Sequence, residues 1–81
     1  MKINVTALDI KRGERNSEYN CPIARAVKRR TRRRVNVTPQ TVFFGGMKWV
    51  ELPQVASHFV WAFDHGIEEA MPFSFELEIP Q

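Results

Sequence analysis

The stretch that most limits what this chain can fold into is Phe73-Ser74-Phe75-Glu76-Leu77-Glu78-Ile79. Phe73, Phe75, Leu77 and Ile79 point one way, and Ser74, Glu76 and Glu78 point the other. A period of two is the pattern of a strand with one buried face and one wet face. Such a strand needs an antiparallel neighbour and an apolar layer beneath it. Lys2 to Thr6 alternates in the same way, with Ile3 and Val5 on one side. Thr6 then suits an N-cap for a turn of helix over Ala7 to Arg12, with Asp9 where an acid helps a helix to start. Gly13 ends that turn, and the polar, aperiodic run Glu14 to Tyr19 reads as a loop.

The next segment, Asn20 to Arg34, is helical and basic. Asn20 is expected as its N-cap, and Pro22 fits the first turn, where a missing N–H costs nothing. At about 100° per residue, Ile23, Ala24, Val27 and Thr31 share one side. Arg25, Lys28, Arg29 and Arg32 share the other, spaced i, i+3, i+4 and i+7. Arg30, Arg33 and Arg34 crowd the exit.

Arg34 to Thr38 alternates again, with Val35 and Val37 on one face. Gly45-Gly46 between apolar runs predicts a hairpin with a two-residue loop. That register pairs Phe44 with Met47, Phe43 with Lys48, Val42 with Trp49 and Thr41 with Val50. Val42, Phe44, Met47 and Trp49 are then the core face, and Thr41, Phe43, Lys48 and Val50 a mixed face. Pro53 opens a second long helix with Leu52, Val55, Ala56, Phe59, Val60, Ala62 and Phe63 on its apolar side. Trp61 falls with Ser57, His58 and Asp64 instead, and Gly66 stops the helix. The expected architecture is a single α+β domain over residues 1–81. A mostly antiparallel sheet of four or five short strands packs against two helices.

Size and charge narrow the function. The chain has 81 residues, 43% of them hydrophobic and 26% charged, which suits one globular domain with a small core. No apolar run is long enough to span a membrane, and the first residues lack a signal-peptide core. One cysteine makes no internal disulfide, so a reduced, cytoplasmic setting is expected. The net charge is +3, but residues 1–50 hold all 12 Lys and Arg. Residues 51–81 hold six acids and no Lys or Arg. The split implies a two-faced surface or pairing between the halves.

Two short motifs carry a resemblance. At Cys21-Pro22-Ile23-Ala24-Arg25-Ala26 and at Pro72-Phe73-Ser74-Phe75-Glu76-Leu77, the chain resembles small uncharacterised proteins encoded by bacteriophages. The order of elements is similar over most of its length. The resemblance implies an accessory role in the cytoplasm of a bacterial host and implies no particular activity. The Arg30 to Arg34 cluster lies outside the matched motifs, so its role rests on physics alone.

Arg25, Lys28, Arg29, Arg30, Arg32, Arg33 and Arg34 are the candidate anion contacts, because arginine's planar fork holds phosphate oxygens two at a time. The competing reading is a solvated face, partly neutralised by Glu76 and Glu78 if their strand lies beside Arg34. Phe43, Lys48 and Trp61 sit off the core faces and form a candidate partner surface or base-stacking platform. Cys21 at a helix start has no His or Asp in a nucleophile signature, and it reads as a small buried residue. His58 and His65 do not add up to a zinc set with one cysteine. Asp64, Glu68 and Glu69 read as solvated acids. Gly45-Gly46 lacks the longer phosphate-loop pattern.

The sequence therefore predicts a non-enzymatic phage-type protein without cofactor or metal. It binds nucleic acid or a nucleotide through the Arg-rich helix. The alternative is a counter-defence or inhibitor protein that docks on an acidic host protein. Off-core aromatics also predict a homo-oligomer.

Overall fold

The computed structural model describes residues 1–45, 47–67 and 69–80. The elements run β1 (Lys2–Val5), α1 (Ala7–Arg12), α2 (Pro22–Thr31), β2 (Asn36–Val37), β3 (Thr41–Phe43), β4 (Trp49–Glu51), α3 (Gln54–His65) and β5 (Phe73–Glu76). The chain is an α+β domain whose strands are all antiparallel and fall into two sheets, β1-β5 and β2-β3-β4.

The alternating C-terminal strand pairs with the N-terminal one. Ile3 lies opposite Phe75 and Val5 opposite Phe73. Leu77 extends the ladder by donating its N–H to the Met1 carbonyl at 2.9 Å. Ile3, Val5, Phe75 and Leu77 are all buried, so the period-two reading holds. The contact of Phe59 against Phe73 at 4.8 Å joins this sheet to α3, and it is continued by Phe59 against Phe63 at 5.9 Å within α3 and Phe73 against Phe75 at 5.7 Å within β5. Helix α2 lies over the core with Ile23, Ala24, Ala26 and Val27 fully buried.

Local chemistry explains the helix ends. Thr6 and Asp9 form a reciprocal cap: the Asp9 N–H donates to Thr6 Oγ1, and the Thr6 N–H donates to Asp9 Oδ2 at 2.9 Å. Gly66 takes the left-handed conformation (φ 63°) and closes α3, with the Ile67 N–H reaching back to the Ala62 carbonyl. At α2 the expected cap is displaced by one residue. Cys21, not Asn20, is the N-cap, and its Sγ accepts from the Ala24 N–H at 3.4 Å. Pro22 occupies the first helical position and forces the residue before it to be extended, which makes Cys21 the boundary. The Asn20 N–H is taken by Ser17 Oγ instead.

The hairpin register also differs from expectation by one residue. Thr41 faces Glu51, Val42 faces Val50 and Phe43 faces Trp49. The turn is closed by the Lys48 N–H on the Gly45 carbonyl and the Phe44 N–H on the Lys48 carbonyl, so the loop is one residue longer than two. Gly46 itself lies outside the described residues. Because side chains alternate strictly, a slip of one moves a whole strand's set to the opposite face. Met47 (94% exposed) and Trp49 (54% exposed) are therefore in water, and Val50 packs on the core. Lys48 no longer shares a face with Phe43 through the pairing.

Candidate nucleic-acid interface

The basic helix does not present one free stripe. Asp9, a fully buried carboxylate on α1, takes two of its arginines. Arg29 Nη1 donates to Asp9 Oδ1 at 2.6 Å and Nη2 to Oδ2 at 2.8 Å, a two-pronged pair. Arg29 Nη2 also reaches the Asn4 carbonyl at 3.0 Å. Arg25 Nε lies 3.6 Å from Asp9 Oδ1, too long for a hydrogen bond but close in charge. Burial opposes the charge on Asp9. The hydrogen bonds from Arg29 and the Thr6 N–H, with the Arg29 charge, outweigh it and hold the carboxyl below its ordinary range. The same partner raises Arg29.

The remaining cations divide again. Lys28 Nζ donates to the Tyr19 carbonyl, which holds the loop before α2. Arg33 Nη1 donates to the Pro80 carbonyl at 2.7 Å, and its guanidinium lies 5.8 Å from the centre of the Phe44 ring. Carbonyls and rings do not cancel charge, so both keep theirs. Arg30, Arg32 and Arg34 are exposed, and their side chains have no partner among the described residues. Arg32 is not the fourth member of a helix face. It is the left-handed C-cap of α2 (φ 59°), with its N–H on the Lys28 carbonyl, and it turns the chain toward β2. Asn4, Ala26, Arg29, Arg30 and Arg32 line a shallow depression there. The cationic surface is thus the C-terminal end of α2, not its side.

Glu76 and Glu78 do not neutralise these arginines across strands. Glu76 ends β5, which among the described residues pairs only with β1, Glu78 lies beyond that strand, and β2 pairs with β3. Glu76 lies 3.4 Å from the Met1 amine.

The aromatic candidates separate. Phe43 faces outward from the three-stranded sheet beside Trp49. Trp61, 45% exposed, sits between two histidine rings on α3, with His58 at 6.1 Å and His65 at 5.1 Å. His65 Nδ1 also lies 2.8 Å from the Trp61 carbonyl. The loop Glu14 to Tyr19 is tied to Asp64 and Phe63 of α3 instead of to Trp61: the Asn16 N–H donates to Asp64 Oδ1, and Arg15 lies over the Phe63 ring.

Cys21 is 2% exposed, and burial pushes its thiol up. A buried, protonated thiol is a poor nucleophile. Among the described residues, no three of His, Cys, Asp and Glu lie close enough to hold a metal ion. Glu68 of the acidic run lies outside those residues. No helix among them is long and apolar enough to cross a membrane.

Two residues that shape the candidate site escape the sequence reading. Asp9 shows locally only as a helix-capping acid, and its partner lies 20 residues away. Trp49 is hidden by the assumed loop length. Comparison with protein-family models, with curated proteins and with solved structures finds no match.

Proposed function

We propose that this chain is a non-enzymatic, phage-type accessory protein of the bacterial cytoplasm that binds a phosphate-bearing partner through the C-terminal end of α2. The observation that carries the reading is that Arg30, Arg32 and Arg34 are exposed and their side chains have no partner among the described residues, with Arg33 between them. Three uncompensated guanidinium groups around one helix exit repel one another. An anion relieves that repulsion. Arg25 and Arg29 hold the helix against α1 and so position the end that binds.

The test is fluorescence anisotropy of a labelled oligonucleotide with the wild-type chain and with an Arg30→Ala, Arg32→Ala, Arg34→Ala variant. The reading expects the variant to lose binding while its circular dichroism stays unchanged. Equal binding by both refutes it. Polyglutamate binding the wild type as tightly as the oligonucleotide supports docking on an acidic host protein instead.

Exposed Val55, Trp61 and Met71 around α3 support self-association as a second property. Sedimentation showing a dimer that Trp61→Ala dissociates is the expected result.

A further inference from the structure

We propose that the outer face of the β2-β3-β4 sheet is a stacking platform for the bases of a single-stranded nucleic acid. The phosphates of that strand run over the arginines at the end of α2. The inference rests on the phosphate-binding reading above and names its ligand class.

The register decides which side chains face out. Val37, Val42 and Val50 form one cross-strand row, with Val37 and Val42 buried and Val50 packed against the core. The adjacent row, Asn36, Phe43 and Trp49, therefore faces the other way. Trp49 is 54% exposed, Phe43 is half-buried, and no other ring among the described residues stacks on either. Both aromatics sit on a paired sheet, which fixes their backbones.

Charge completes the site. Along β2 and the residues before it, Arg34 is exposed, Val35 buried, Asn36 intermediate and Val37 buried. The alternation puts Arg34 on the side of Asn36 and Phe43, two residues before Asn36 and two after the Arg32 cap of α2 in the chain. Arg33 points to the opposite side, over Phe44. Two acids border the platform. Glu18 is held at the β2 edge by Asn36 Nδ2 at 3.1 Å. Glu51 lies two positions beyond Trp49, at the end away from Arg34. The polyanion is thereby steered to the arginine side.

An outward-facing aromatic pair, Trp49 exposed and Phe43 half-buried, beside a cationic residue suits unpaired bases, each of which offers a free π-face. A duplex keeps its bases stacked on one another and has no use for the platform. It meets only the phosphate contacts.

The experiment measures affinity for labelled oligothymidylate of about 12 nucleotides, within the usual site size, and for a duplex of equal length. Trp49→Leu keeps an apolar side chain without the aromatic face, and Trp49→Phe restores one. We expect Trp49→Leu to weaken single-strand binding by about five- to a hundredfold, with Trp49→Phe close to wild type. Duplex binding stays within about twofold of wild type, because phosphate contacts are untouched. If Trp49→Leu leaves single-strand binding unchanged while Arg32→Ala weakens both ligands, the platform is refuted and the phosphate reading stands. If wild type binds neither ligand, both fall. If Trp49→Leu instead converts a dimer to a monomer and leaves oligonucleotide affinity intact, the face joins copies of this chain and the platform is refuted.

Discussion

Asp9 Oδ1 and Oδ2 each accept a hydrogen bond from a different nitrogen of Arg29, at 2.6 and 2.8 Å, across 20 residues of sequence. Asp9 also closes the cap of its own helix through Thr6. One buried carboxylate therefore fixes the start of α1 and clamps α2 to it. Removing Arg29 leaves that carboxylate buried with the Thr6 N–H and, among the described residues, only the more distant Arg25 as a cation. Loss of one partner of a buried pair costs several kcal/mol, but Arg29 is half-exposed and water screens part of the interaction. Arg29→Ala should destabilise the domain by about 2–3 kcal/mol in urea unfolding. Arg29→Lys should recover only part, because an ammonium does not match both oxygens.

Acid should act through the same group. The Asp9 carboxyl is held below its ordinary range, so its contribution to stability is complete above about pH 4 and is lost as pH falls through the lower, folded value. Urea unfolding of wild type and Asp9→Asn between pH 7 and 2 should show a gap that narrows only below about pH 4. A constant gap across that range contradicts the assignment.

Gly13 is needed for close approach rather than for backbone freedom. Its φ is −68°, yet a Cβ there would lie 2.6 Å from Pro22 Cδ and Cγ and 2.7 Å from the Asp9 carbonyl. Gly66 has the reverse problem: its φ is 63°, but the nearest atom to an added Cβ is a flexible Arg15 nitrogen at 3.4 Å. Gly66→Ala should cost about 1 kcal/mol. Gly13→Ala should cost about 2–3 kcal/mol, because two helix ends must move apart. Thermal unfolding of the two variants checks the order.

Cys21 should report on unfolding. Its thiol is buried, pushed up by burial, and accepts the Ala24 N–H. An aromatic disulfide reagent at neutral pH should label it slowly, and urea should accelerate labelling in step with loss of structure. Rapid labelling of the folded chain contradicts that placement.

The sequence reading succeeded where local pattern and tertiary need coincide. Alternation at Phe73 to Leu77, the Thr6 and Gly66 caps and the apolar side of α2 all follow from residues within one or two turns. It failed where one residue of loop length or a distant partner decides. The extra residue between Phe44 and Lys48 turned Trp49 outward, and no local pattern separates a two-residue loop from a three-residue one there. Arg29 has the spacing of a solvent-facing stripe, and only the fold brings Asp9 to it. Arg32 has helical spacing but a left-handed backbone, since the helix ends at Thr31. The cluster of positive charge was legible. Which arginines remain free to bind was not.

The most direct test of that division is the salt dependence of affinity for a single-stranded oligonucleotide, with wild type, Arg32→Ala and Arg29→Lys compared. Three phosphates neutralised by Arg30, Arg32 and Arg34 predict a slope of log affinity against log salt near −2, at about −0.7 per contact. Arg32→Ala should make the slope shallower by about 0.7, and Arg29→Lys should leave it unchanged. A slope near zero, or one that Arg29→Lys alters and Arg32→Ala does not, contradicts the account.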